Sequence, residues 1–307
     1  MTGLALFMAD PWISIDVANA DPAVAAHLRL TTDRASFPEA DVVIYPMPTW
    51  GKRLPIARAR TTQVRVLWSQ ESAVHYPKLI NTAYVAEFDL QMTYRLDSDI
   101  PIPYLSPDLF SPDIFHQLPS VPALDARCNV PISAWASSRS DRCGRDRYLL
   151  ELMEHVPVHS YGRVGHNCDL ANDDGWDSKM ATIGDYRFTI AFENSIATDY
   201  VTEKFFQPLV AGSVPIYRGA PNVADFAPAP DSYIDADRFD GPASLAHFLR
   251  SMSDADYLRY HEWRAHGPTE EWRRRFAPYA THGLVRLARA ARVVAIGLQA
   301  QGRQPNG

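Results

Sequence analysis

The residues best placed for chemistry lie in one window, 186–219, which reads YRFTIAFENSIATDYVTEKFFQPLVAGSVPIYRG. Its apolar run 188–192 predicts a strand that delivers Glu193 and Asn194 to its carboxyl end. A polar loop follows, then a helix over 201–210, with Asp199 as the expected N-cap. Free N–H groups and the helix dipole attract anions to such a start, and Lys204 falls in its first turns. A lysine beside a helix start suits a phosphate or diphosphate. Glu193 and Glu203, one on each side of the loop, instead suit hydroxyls, a base or a developing positive charge. Spacing alone leaves two readings open: a nucleotide or sugar-nucleotide site, and a plain Glu–Lys pair on an amphipathic surface helix. Pro208 is expected to kink or shorten that helix.

Other patterns point elsewhere. Asp97-Ser98-Asp99 is a D-x-D triplet whose carboxylates are suitable ligands for a hard divalent cation. Asp173-Asp174 reads as a turn. The histidines show no HExxH spacing. Residues 161–165, YGRVG, lack the third glycine and following helix of a dinucleotide fingerprint, so nicotinamide chemistry has no support.

These side chains need a scaffold. In the first half, 4–7, 42–45, 64–68 and 90–94 are nearly continuous apolar runs, the pattern of parallel strands buried on both faces. Residues 23–28 read as helical. In the second half, strands are predicted over 132–136, 158–161, 188–192 and 214–217, and helices over 145–154 and 201–210. The alternation implies βαβ units and an α/β chain, with ligands at the carboxyl ends of the strands. Six prolines in 101–122 mark a linker, or a long surface loop. We expect a first domain over 1–122 ending in that linker, a second over 123–280, and a basic amphipathic helix and tail over 281–307. Arg286, Arg289 and Arg292 recur at helical spacing in that tail. The helix either docks with a solvated basic face or lies on an anionic membrane surface.

The chain of 307 residues has room for two domains. Its 30 Lys and Arg against 36 Asp and Glu give a net charge of −6, the wrong sign for a protein that holds nucleic acid by its phosphates. Hydrophobic residues at 46% exclude wholesale disorder. Cys128, Cys143 and Cys168 contain no CxxC pair, which argues against a cysteine zinc site or a disulfide framework. The start, MTGLALFMADPW, has no basic segment and is interrupted by Asp10, so no signal peptide is read there. A cytoplasmic location is expected, with the tail helix offering peripheral contact at the inner membrane face.

The 186–219 window closely resembles the signature of the α1,3-fucosyltransferase family, whose members move L-fucose from GDP-fucose to an oligosaccharide. That pattern runs F-E-N-S, four variable residues, Y-[IV]-T-E-K, then A-G-x-V-P. Asn194, Ser195, Tyr200, Thr202, Glu203, Lys204, Gly212 and Pro215 match it. Residues 133–163 are similar to the family's strand, arginine-bearing helix start and YGR strand end, with Arg145 at the donor-binding arginine and Ser137 and Ser138 in the post-strand loop. LWSQESAVHYP resembles the family's E-S-P segment, with Glu71 at the acidic position. MTYRLDSDIPIPY and YHEWR resemble two further segments. The resemblance covers about 66–265 and none of the first sixty residues.

The resemblance implies a GT-B fold: two Rossmann-like domains facing each other across a cleft, the first for acceptor and the second for donor. It implies an inverting transfer. Glu71 would be the general base, and Glu203 would stabilise an oxocarbenium-like transition state. Arg145 and Lys204 would bind the diphosphate, Asn194 and Tyr200 would contact ribose or phosphate, Glu193 would support their loop, and Ser138 would join the donor site. No cofactor or metal is then expected to be obligatory, because protein cations stand where a metal would. The partners would be GDP-fucose and an oligosaccharide or lipid-linked glycan, accepting at O3 of GlcNAc in a galactosyl-GlcNAc unit. Rival readings are another acceptor, linkage or GDP-sugar on the same fold, and a non-catalytic glycan-binding protein. Two departures stand out: Ala73 replaces the proline after Glu-Ser, and Arg218 precedes Gly219 where the family has an uncharged residue. Animal members' C-terminal cysteines, stem and anchor have no counterpart, which suits a bacterial-like member. Trp12, Trp50, Trp68, Tyr76 and Tyr104 would stack on sugars or fill the core.

Overall fold

The computed structural model describes residues 2–9, 11, 13–105, 114, 115, 118, 121 and 127–301. Trp12 and most of the expected linker lie outside them. The chain divides into two compact units, Met1–Leu109 with Tyr279–Gly307, and Phe110–Pro278.

The first unit is built on a parallel sheet of β1 (Gly3–Phe7), β2 (Leu28–Thr31), β3 (Val42–Pro46), β4 (Val64–Ser69), β5 (Leu90–Thr93) and β6 (Ile100–Pro101). Their order is β2-β1-β3-β4-β5-β6. Side chains alternate across it with period two. Phe7, Ile44, Val66 and Trp68 enter one core. Leu6, Val43, Tyr45 and Leu67 enter the other, with Trp50, Tyr84 and Phe88. That two-sided burial is why β3 reads as an unbroken apolar run. β2 is a finding against expectation: Leu28 reads as the last residue of a helix over 23–28, but the helix Pro22–Ala25 stops early and Leu28–Thr31 pairs with β1 at the sheet edge.

The C-terminal segment also departs from the expected division. The helix Gly283–Gln301 belongs to the first unit, where Leu284, Val285, Leu287, Ala288 and Ala291 complete the core beside Phe7 and Trp68. A fully buried Leu or Val contributes roughly 1.5–3 kcal/mol, so this apolar stripe is committed to the sheet. Of the basic residues, Arg286 turns back to the Thr281 carbonyl at 3.0 Å, while Arg289 and Arg292 are exposed. Among the described residues no helix is long and apolar enough to cross a membrane.

The second unit repeats the plan with β7 (Ile132–Ala134), β8 (Val158–Ser160), β9 (Phe188–Phe192), β10 (Val214–Arg218) and β11 (Ile234–Asp235), in the order β11-β10-β9-β7-β8, all parallel. The order reverses between β7 and β9, and the connections leaving those two strands diverge there. Doubly wound sheets bind ligands at the carboxyl ends of the strands at such a point.

Candidate functional site

β9 delivers Glu193 to the reversal point, where its N–H donates to the Arg218 carbonyl at 2.8 Å. Glu193 is fully buried. Its Oε1 accepts from the Thr202 N–H at 2.7 Å and its Oε2 from the Thr202 hydroxyl at 2.9 Å. Lys204 Nζ lies 3.5 Å from Glu193 Oε2, donates to Thr202 Oγ1 at 3.0 Å, and pairs with Glu203 Oε1 at 3.0 Å. Four side chains therefore form one hydrogen-bonded cluster at the start of the helix Glu203–Ala211. Burial pushes the Glu193 carboxyl up to about 7, against the pull of Lys204. Burial also pushes on Glu203, but the Lys204 charge and hydrogen bond, with Lys179 behind them, hold it below the ordinary carboxylate value. Burial would lower Lys204, but Glu193 and Glu203 together raise it. The lysine is thus a fixed cation, about a quarter exposed.

The N-cap of that helix is Thr202, not Asp199. Asp199 has φ +66°, outside the helical region, so the helix cannot begin there. Pro208 does sit inside the helix, which ends at Ala211 with Gly212 as its cap.

On the β7 side, Arg145 opens its helix and its guanidinium is fully buried. Its Nη2 donates to the Ser138 carbonyl at 3.0 Å and its Nε to Asp146 Oδ1 at 2.9 Å. The start of its helix, Arg145–His155, is already occupied by Asp141, whose carboxylate accepts from the N–H groups of Cys143, Arg145 and Asp146 at 3.0, 3.2 and 3.1 Å. Burial works to raise Asp141, but these three donors win and lower it. Tyr200 is likewise buried, at 2% exposure, and its carbonyl accepts from the Tyr217 hydroxyl at 3.3 Å. Ser138 is exposed. Asn194 is buried, and its carbonyl holds the Arg142 N–H at 2.8 Å, joining the two loops. Three buried atoms in this neighbourhood, Arg145 Nη1, Asn194 Oδ1 and Ser195 Oγ, have no hydrogen-bond partner among the described residues, a condition that native interiors seldom leave without a ligand or water.

A cavity of about 470 Å³ opens beside β7 and β8, lined by Trp135, Ser137, Tyr161, Asp169, Asp173 and Lys179 among others. Trp135 stacks on Tyr161 at 4.5 Å and 11°. The Tyr161 hydroxyl is 2.7 Å from that of Tyr186, which is 2.7 Å from His159 Nδ1, so the wall is braced from behind. Lys179, on the cavity wall, lies over Trp135 and feels the charges of Glu203 and Lys204.

Two glycines are fixed by close approach. A Cβ on Gly162 would sit 2.4 Å from the Ala136 carbonyl oxygen, which explains the glycine of the YGR segment. A Cβ on Gly219 would lie 2.6 Å from Glu193 Cγ and 2.5 Å from the Tyr217 hydroxyl. Gly219→Ala is therefore expected to displace the Glu193 carboxylate and to cost about 1–3 kcal/mol of stability. Thermal unfolding measures the second effect, and donor titration of the same variant measures the first. Arg218 beside it is half-buried and donates to Asp237 Oδ1 and to the Cys143 carbonyl, both at 2.9 Å.

In the first unit, Glu71 follows β4 and is half-buried. Its N–H donates to Ser69 Oγ at 3.1 Å, and its carbonyl accepts from the same hydroxyl at 3.2 Å. The N–H of Ala73 donates to the Tyr94 hydroxyl at 3.2 Å, a bond that the family's proline could not make. The loop is thus held by a hydrogen bond where relatives use a ring. Trp50 and Trp68 fill cores. Asp97 and Asp99 serve locally: Asp97 pairs with Arg95, and Asp99 Oδ2 accepts from the Gln91 N–H at 2.8 Å. No group of three or more potential metal ligands converges among the described residues.

Sequence reading missed Asp141 and Lys179. Asp141 acts by accepting backbone N–H groups at a helix start, and Lys179 acts from the neighbouring helix Trp176–Gly184. Neither lies in a motif that spacing could flag.

Comparison with known proteins places the chain in a family. Residues 128–290 match the model described as glycosyltransferase family 10 (fucosyltransferase), C-terminal, and residues 6–105 match the fucosyltransferase N-terminal model. The second match extends the likeness into the first sixty residues, where no motif was legible. The GDP-fucose protein O-fucosyltransferase 3 of Xenopus laevis is 34% identical over 226 residues, 70% of this chain and 48% of that protein. The human 4-galactosyl-N-acetylglucosaminide 3-alpha-L-fucosyltransferase FUT6 is 34% identical over 251 residues, 78% of this chain and 66% of that protein. The chain thus spans about half to two thirds of the length of these curated relatives. A crystal structure of an alpha1,3-fucosyltransferase with GDP shares the fold at TM-score 0.60 and 15% identity, covering 96% of this chain and 90% of that one.

Proposed function

This chain belongs to glycosyltransferase family 10, and we propose that it transfers L-fucose from GDP-fucose to a hydroxyl with inversion at the anomeric carbon. The observation that carries this is the Glu193–Thr202–Glu203–Lys204 cluster at the strand reversal of the second unit. Lys204 offsets the diphosphate as the bond from fucose C1 to GDP breaks and GDP leaves with the electron pair. Arg145 adds its buried charge through Nη1 and holds the Ser138 loop. Glu203 faces the positive charge that develops on the ring. Cations placed where charge accumulates lower the barrier, so turnover is expected to survive a chelator. The aromatic-walled cavity with its carboxylate rim suits guanosine better than it suits phosphate. Glu71 takes the proton of the attacking hydroxyl as the new C1–O bond forms.

For the acceptor, we favour O3 of GlcNAc in a galactosyl-GlcNAc glycan, free or lipid-linked, which follows the activity in the human relative's name. A protein hydroxyl is the second reading, favoured by the Xenopus relative. Incubation with GDP-fucose and N-acetyllactosamine, with the product anomer read by NMR, tests the first. An α-fucoside at O3 supports it; hydrolysis of the donor without transfer, beside fucosylation of a protein acceptor, selects the second.

The cluster also dictates a pH effect. An anion bound at Lys204 further raises the pKa of Glu193, so binding takes up a proton. GDP-fucose affinity is expected to rise as the pH falls toward about 7 and to level off below it. Glu193→Gln should remove this dependence. Calorimetric titrations across the range check both; an equal slope in the variant assigns the proton elsewhere.

A further inference from the structure

We propose that Asn222 is a positioning residue: together with Asp199 it clamps the turn between β9 and the Glu203–Ala211 helix, and so sets Thr202 and Lys204 against Glu193. The proposal rests on the donor-site reading above. Asp199 is the single non-glycine residue with positive φ among the described residues, and it is buried. L side chains seldom adopt that conformation unless their surroundings enforce it. Here Asn222 enforces it from both ends. The Asp199 N–H donates to Asn222 Oδ1 at 2.9 Å, and Asn222 Nδ2 donates to Asp199 Oδ1 at 2.9 Å.

Asn222 is itself anchored. Its Nδ2 also reaches Asp225 Oδ2 at 3.2 Å, and Asp225 Oδ1 pairs with Arg275 at 2.7 Å on the helix Glu270–Phe276. That helix is pinned by Trp272, whose Nε1 donates to the Phe226 carbonyl at 2.9 Å. On the other side of Asp199, its carbonyl accepts from the Val201 N–H at 2.9 Å. Thr202 comes next, and both its donors go to Glu193. A return of Asp199 to negative φ would rotate the following peptides. Glu193, fully buried, would then lose its two hydrogen bonds, and Lys204 would lose the Thr202 hydroxyl that orients it.

The test uses the full chain as Asn222→Ala and as the double variant Asn222→Ala/Asp199→Gly. Glycine occupies φ +66° without a Cβ penalty. Asn222→Ala is expected to weaken GDP-fucose binding about tenfold and to speed hydrogen exchange at the Val201 and Thr202 amides. The added Asp199→Gly is expected to bring affinity back to within about threefold of the parent. A merely structural role would lower the melting temperature without that rescue. Parental affinity in Asn222→Ala overturns the proposal, as does a double variant that binds no better than Asn222→Ala. Should the parent chain bind no GDP-fucose, the donor reading fails on its own. The clamp is then judged by exchange: unchanged protection of Val201 and Thr202 in Asn222→Ala rejects it, and faster exchange supports it.

Discussion

Glu71→Gln is expected to lower turnover by about 10²–10⁴-fold while GDP-fucose binds as tightly as before. The two halves of this expectation have separate causes. The backbone of Glu71 is held by Ser69, whose hydroxyl takes its N–H and gives to its carbonyl, and the substitution leaves both of these bonds in place. Glutamine keeps the size and removes only the capacity to accept a full proton. The donor cluster belongs to the second unit, with no shared residue. The loss should therefore fall on kcat, with the donor's Kd unmoved. Steady-state kinetics with a parallel titration separate the two. A drop in kcat of less than about fivefold would assign the base to another group.

Lys204→Ala is expected to have the opposite signature. It removes the cation from between Glu193 and Glu203 and leaves Glu193, fully buried, with Thr202 alone. Breaking a fully buried pair costs about 3–5 kcal/mol; Lys204 is a quarter exposed, so a smaller loss of stability is expected. Donor affinity should fall about a hundredfold, because a charge-assisted contact to the diphosphate is lost as well. The variant Glu193→Gln/Lys204→Met separates these effects. With no buried charge left unpaired, its melting temperature should recover, while its affinity for GDP-fucose should not. Recovery of both would mean that Lys204 supports the fold and does not touch the donor.

The parts of this molecule that were legible in the sequence are those written as side-chain type at fixed spacing. The runs at 42–45 and 188–192 declared buried parallel strands because both their faces are covered. The Glu-Asn-Ser and Thr-Glu-Lys segments marked the candidate site, and the structure brings Glu193, Thr202, Glu203 and Lys204 together. What stayed hidden is what depends on backbone conformation or on distant partners. The left-handed turn at Asp199 is set by Asn222, and no local signal marks it, so the N-cap was placed at Asp199, three residues before Thr202. β2, β6 and β11 are short edge strands, and none carries an unbroken apolar run of the kind that marked the others. The complete burial of Arg145, with Nη2 on the Ser138 carbonyl, was not legible. The helix Gly283–Gln301 read as amphipathic, which is correct, but sequence does not say which surface its apolar face covers.

Titration of the protein with GDP-fucose and with GDP-mannose, each with and without EDTA, tests the central claim most directly. Binding that is selective for GDP-fucose and indifferent to EDTA is the expected result, with Lys204 and Arg145 supplying the positive charge. Absence of binding by either nucleotide sugar, or binding that requires a divalent ion, would contradict it.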